Sequence, residues 1–140
     1  GEVFEINGIK IETILVPGHT WGHVVYLIDD EYLFTGDTIW FGADGGYSFI
    51  NKLAEDNQLA VESLAKLEKI LRQRGLNPKI FTAHTGWADS LDFAFAHTGE
   101  VCNANKPVKV HDPKAPYDAY DECDDTRENA VSMPLLPCNR

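Results

Sequence analysis

His19, Asp37 and His84 are the side chains of this 140-residue chain whose types and settings suit metal chemistry. Each closes a strand-like run. Ile9 to Val16 leads into Pro17-Gly18-His19-Thr20-Trp21-Gly22-His23, Tyr32-Leu33-Phe34 into Thr35-Gly36-Asp37-Thr38, and Lys79 to Ala83 into His84-Thr85-Gly86. Imidazole nitrogens and a carboxylate oxygen are ordinary ligands of zinc and also serve iron or manganese. Activation of water by a metal needs such ligands to converge with one coordination position left open, and loops at strand ends are where a rigid scaffold displays chemistry. The same residues also fit a plainer description, a turn histidine, a loop histidine and a capping aspartate, because Asp37-Thr38 can satisfy backbone donors after a strand. Spacing alone does not separate the two.

The elements that must position these residues are legible from pattern. Val3 to Ile6, Asn7-Gly8 and Ile9 to Leu15 read as a hairpin, because Asn-Gly supplies the positive φ of a two-residue turn. In its second strand Ile9, Ile11, Thr13 and Leu15 form an apolar face and Lys10, Glu12 and Ile14 a mixed one. Val24 to Ile28, Asp29-Asp30 and Tyr32 to Phe34 predict a second hairpin with Asp37 just past its end. Ile39 to Phe49, rich in glycine and aromatics and without a clear period, reads as a loop walling a site. From Asn57 to Arg74 the apolar residues fall at 60, 64, 67 and 71, the spacing of a helix with one buried stripe; Gly75 and Pro78 close it. Lys79 to Ala83 reads as a strand and Ser90 to His97 as a further helix, N-capped by a neighbouring aspartate, Asp89 or Asp92. His23 is expected to make a structural hydrogen bond in support of a ligand rather than to bind metal itself. His97 and His111 read as surface residues, and Trp40, Phe41, Tyr47 and Phe49 as core with a pocket role left open.

Composition bounds the rest. Apolar residues make up 44% and charged residues 24%, as in a soluble globular protein, and the length supports one core without disulfides. Twelve basic against 22 acidic side chains, a net charge of −10, leave no basic footprint for nucleic acid. No apolar run spans a bilayer, so no membrane partner is expected. The chain opens at Gly1-Glu2-Val3 as a processed product does, and a cytoplasmic setting is the expectation. Cys102, Cys123 and Cys138 show no Cys-x-x-Cys spacing. From Gly99 onward five prolines and an acidic cluster predict an irregular extension over residues 99–140, after a domain over residues 1–98.

Taken together, Pro17-Gly18-His19-Thr20-x-Gly22-His23, Leu33-Phe34-Thr35-Gly36-Asp37-Thr38 and Ala83-His84-Thr85-Gly86 resemble the second half of the metallo-β-lactamase fold superfamily, in its glyoxalase II-like form. The resemblance implies an α/β fold, half of an αββα sandwich made of a mixed sheet with helices on one face. It also implies a metal-dependent hydrolase that cleaves an ester, thioester or related bond of a small molecule by metal-activated water. In that family two ions, usually zinc, share the site. Carried over, His19 would bind one ion, His84 the other, and Asp37 would bridge them as the catalytic ligand.

Two departures qualify the resemblance. Trp21 stands where the family has a small residue or proline, which predicts a narrower mouth. The family's His-x-His-x-Asp-His motif is absent: the five histidines are His19, His23, His84, His97 and His111. The resemblance therefore implies an incomplete portion, inactive alone, whose sheet face (Ile11, Val25, Leu27 and Phe34) is covered by a missing N-terminal half or by a homodimer partner. Two other readings share the fold: the diiron redox module of flavodiiron proteins, whose attached flavin domain nothing here resembles, and a non-catalytic truncated interaction module.

Overall fold

The computed structural model describes residues 1–49 and 54–101. Asn7 and Gly8 take φ values of 53° and 83°, closing the hairpin of β1 (Val3–Ile6) and β2 (Ile9–Leu15) as the Asn-Gly pair dictates. Antiparallel pairing continues to β3 (Val24–Ile28) and β4 (Tyr32–Gly36), and β7 (Lys79–Thr82) then pairs parallel to β4. β8 (Trp87–Ala88) completes a six-stranded mixed sheet in the order β1-β2-β3-β4-β7-β8.

Helix α1 (Asn57–Gln73) is capped by Asp56, whose carboxylate accepts from Leu59 N at 2.9 Å. Ala60, Leu64, Leu67 and Leu71 are its buried stripe, as the spacing predicts, and Gly75 follows at φ 68°. Its three leucines pack with Val25, Leu27, Leu33 and Ile80 from the inner face of the sheet, all four fully buried. The α/β class and the mixed sheet with helical cover on one face are therefore as expected.

Four expectations are corrected. Residues 39–49 are not a loop: β5 (Ile39–Phe41) and β6 (Gly46–Ser48) pair antiparallel across the Gly42–Gly45 turn. Every residue of both strands is buried, so no apolar–polar alternation marks them. The helix expected over Ser90–His97 is one turn, α2 (Leu91–Ala94), N-capped by Ser90 rather than by Asp89 or Asp92. The chain then enters β9 (His97–Val101), which joins β6 in parallel and carries regular structure through residues 99–101. Finally, Val25 and Leu27 face the helix and are not exposed.

The uncovered face is the more apolar face of β2 together with its neighbours. Phe4, Ile6, Ile9, Leu15, Tyr26, Tyr32 and Phe34 are exposed there, while Ile14 on the mixed face is the buried residue. Register sets Tyr26 beside Phe34, Phe34 beside Phe81 and Phe81 beside Trp87, an aromatic row across four strands. Lys79 lies over the Trp87 ring at 4.2 Å. Cys102, Cys123, Cys138, His111 and the acidic cluster lie outside the described residues.

Candidate metal centre

Strand direction brings the three motifs together. β2 and β4 are both antiparallel to β3, and β4 is parallel to β7, so β2, β4 and β7 end on one edge of the sheet. His19 follows β2, Asp37 follows β4 and His84 follows β7, so all three stand at that edge.

The Asp37 carboxylate lies between the two imidazoles. Its Oδ2 is 3.5 Å from His19 Nε2 and its Oδ1 is 2.8 Å from His84 Nε2. His19 and Asp37 are largely covered, with 20% and 30% of their side chains exposed, whereas His84 is half exposed. Despite the short His84 contact, Asp37 Oδ1 is buried without a hydrogen-bond partner. His19 Nδ1 is likewise buried and unpartnered. Buried polar atoms are nearly always paired; an ion between carboxylate and imidazole would complete Asp37 Oδ1, whereas His19 Nδ1, the nitrogen not turned to Asp37, calls for a separate acceptor. Each carboxylate oxygen faces one imidazole, two donors on either side. Among the described residues no group of three or more His, Cys, Asp or Glu side chains gathers around a single point. Imidazole nitrogen and carboxylate oxygen are donor types that suit zinc.

Each turn is tied to a neighbour. Glu55 N donates to His19 O (3.1 Å) and Asp56 N to Gly18 O (2.9 Å), which fastens the His19 turn to the start of α1. Trp21 N donates to the Glu55 carboxylate. The Trp21 ring projects from this turn, 60% exposed. Thr85, 3% exposed, accepts from Phe41 N at 2.9 Å and shares a hydrogen bond with Thr82, so the His84 turn is fastened to β5. Phe49 packs 5.8 Å from His19 and 6.2 Å from His84, and Trp40 stacks on Phe49 at 5.5 Å. These rings back the site from the core side, which joins the two roles weighed for them. His23 makes the structural hydrogen bonds expected of it, to the turn that carries Asp37. His97 stacks on Tyr47 and approaches Asp44, away from the three motifs. The roles of Glu55, Thr35 and Thr85 carry no signal in the sequence, because hydroxyls and carboxylates that serve distant backbone groups have no fixed spacing.

No protein-family model matches the chain. It is 32% identical to the hydroxyacylglutathione hydrolase of Dictyostelium discoideum over 135 residues, 91% of this chain and 44% of that protein. Against the hydroxyacylglutathione hydrolase of Serratia proteamaculans it is 43% identical over 96 residues, 69% of this chain and 34% of that protein. Among solved structures, a metallo-beta-lactamase from Staphylococcus aureus superposes with a TM-score of 0.55 at 16% identity, over 89% of this chain and 41% of that one. The chain thus spans less than half the length of these relatives.

Proposed function

Because this chain has the metallo-β-lactamase fold in its glyoxalase II-like form, we propose that it contributes His19, Asp37 and His84 to a dinuclear zinc centre that hydrolyses a small-molecule thioester. The observation that carries the reading is the Asp37 carboxylate, one oxygen toward each imidazole, with Oδ1 buried and unbonded. Names of relatives support the substrate class, since hydroxyacylglutathione is an acyl group carried on a thiol. They favour hydrolysis over the diiron redox alternative.

Zinc at such a centre supplies Lewis acidity and makes water a nucleophile near neutral pH. This chain's residues hold the frame for that chemistry. Asp37 fixes the separation of the two half-sites and contributes negative charge to both. His19, clamped between α1 and β2, and His84, clamped to β5 through Thr85, each anchor one side. The unpartnered His19 Nδ1 is the second nitrogen that a ligating imidazole offers to a supporting acceptor. Trp40 and Phe49 keep water from the core side of the centre, where a low dielectric strengthens electrostatic contacts.

The remaining ligands come from the part of the relatives' length that this chain does not span, and the same part covers the apolar outer face of the sheet. By itself the chain is expected to turn over poorly, since each ion would have only two donors from it. The test is a longer protein containing this chain, purified with its metal. About two zinc ions per chain and a thioesterase activity lost on chelation and restored by zinc support the reading. A metal-free protein, or hydrolysis indifferent to chelation, overturns it.

A further inference from the structure

We infer that His23 is the positioning residue that couples the His19 turn to the Asp37 turn and so sets the span between them; this rests on the metal-centre reading above. Its main chain belongs to the first turn. His23 O accepts from Val16 N at 2.8 Å, and His23 N donates to Thr20 O at 3.2 Å, on the two sides of His19. Its side chain belongs to the second. Nε2 lies 3.0 Å from Thr35 O and 2.7 Å from Thr38 Oγ1, while the Thr38 hydroxyl donates to Thr35 O at 2.9 Å.

The chemistry assigns the tautomer. A carbonyl oxygen only accepts, so Nε2 carries the proton and donates into the Thr35–Thr38 turn. Between those threonines stand Gly36 and Asp37. Gly36 has φ 57°, and a Cβ there would fall 2.9 Å from His23 Cε1, so the imidazole fills the hollow of the turn. The ring also meets His19 edge-on, centroids 5.7 Å apart at 80°. Beyond it, the Thr35 hydroxyl donates to Phe81 O at 3.1 Å, on the strand that delivers His84. The His23 side chain thus joins the first two motifs directly, and Thr35 carries the link on to the strand before the third. An apolar ring of similar size would fill the hollow but would make neither of the two polar contacts that tie His23 to the Asp37 turn.

The experiment uses the longer protein that contains this chain, with variants His23→Phe, His23→Gln, Thr38→Val and Thr38→Ser. Zinc affinity is measured by chelator competition, ligand geometry by the visible spectrum of the cobalt-substituted protein, and folding by melting of the metal-free form. His23→Phe and Thr38→Val are expected to lose about 10–100-fold in zinc affinity, the usual cost of losing a residue that orients a ligand, and to shift the cobalt bands. His23→Gln, whose amide nitrogen reaches near the Nε2 position, and Thr38→Ser should recover most of the affinity. His23→Phe with unchanged zinc affinity and cobalt spectrum overturns the inference. The imidazole nitrogen spectrum of the metal-free wild type reads the same coupling without zinc: an Nε2–H tautomer supports it and an Nδ1–H tautomer overturns it. A wild type that binds no zinc overturns the functional reading instead, and the tautomer still decides the coupling.

Discussion

Gly18 and Ala60 are in backbone contact: a Cβ built on Gly18 would fall 2.3 Å from both Ala60 N and Ala60 Cα. The residue before His19 is thereby pressed onto the first turn of α1, and its φ of 138° is open to glycine alone. Gly18→Ala must push the helix off the His19 turn or break the bonds from Glu55 and Asp56. Overpacking of this kind costs about 1–3 kcal/mol, and the unfavourable φ adds to it. Equilibrium denaturation should show at least that loss together with weaker zinc binding. A variant as stable as the wild type would mean that the turn and the helix are not locked.

Thr85 is the corresponding lock for His84. Replacing it by valine keeps the shape but leaves the buried Phe41 N–H without its acceptor, a loss of about 1–3 kcal/mol. Thr85→Ser retains the hydroxyl and should lie much closer to wild type. Comparing the two in urea melts sets the hydroxyl against the methyl, and equal losses would mean that the hydrogen bond stabilises the turn no more than the methyl does.

Much of this architecture was legible in the chain. The hairpin at Asn7-Gly8, the stripe at 60, 64, 67 and 71 and the three strand-end motifs depend on local φ preferences or on a period, and both are written in neighbouring residues. The β5–β6 hairpin was not legible because it is buried on both faces and shows no alternation. Nor was the stop of α2 after Ala94, where pairing of β9 with β6 overrides the apolar run of Leu91 to Phe95. The uncovered sheet face was legible only in part. Ile11 and Phe34 lie on it, but Val25 and Leu27 sit one residue out of phase on β3 and turn to the helix side, a phase that strand pairing fixes and the residues of β3 alone do not. In the site, the histidines and the aspartate carry signatures, whereas Glu55, Thr35 and Thr85 act through backbone partners fixed only by the tertiary fold.

Asp37→Asn tests the bridging role with little change of volume. The amide keeps one carbonyl oxygen but loses the charge and the second oxygen, so one half-site loses its carboxylate donor. Loss of a supporting partner alone costs about 10–100-fold, and loss of the shared ligand should exceed the upper end of that range in thioester hydrolysis, with zinc content falling toward one ion per chain. Full zinc content in the variant would remove Asp37 from the bridge.

Phe34 offers the sharpest test of what covers the outer sheet face. It stacks on Phe81 at 4.9 Å with the rings 13° from parallel, yet 45% of it is exposed in this chain. Contiguous apolar patches of this kind mark interfaces. If the remaining length of the protein packs there, Phe34 becomes a core residue, and Phe34→Ala in the longer protein should cost about 3–5 kcal/mol. If the face stays in water, the same change should fall near the ±0.5 kcal/mol of ordinary surface positions. The 140-residue chain alone should bind an apolar dye on this face and self-associate, and Phe34→Glu should weaken both. The longer protein should bind little dye. A small cost of Phe34→Ala together with strong dye binding by the longer protein would show that the proposed covering half does not pack on this face, and further zinc ligands could not then be sought across this sheet.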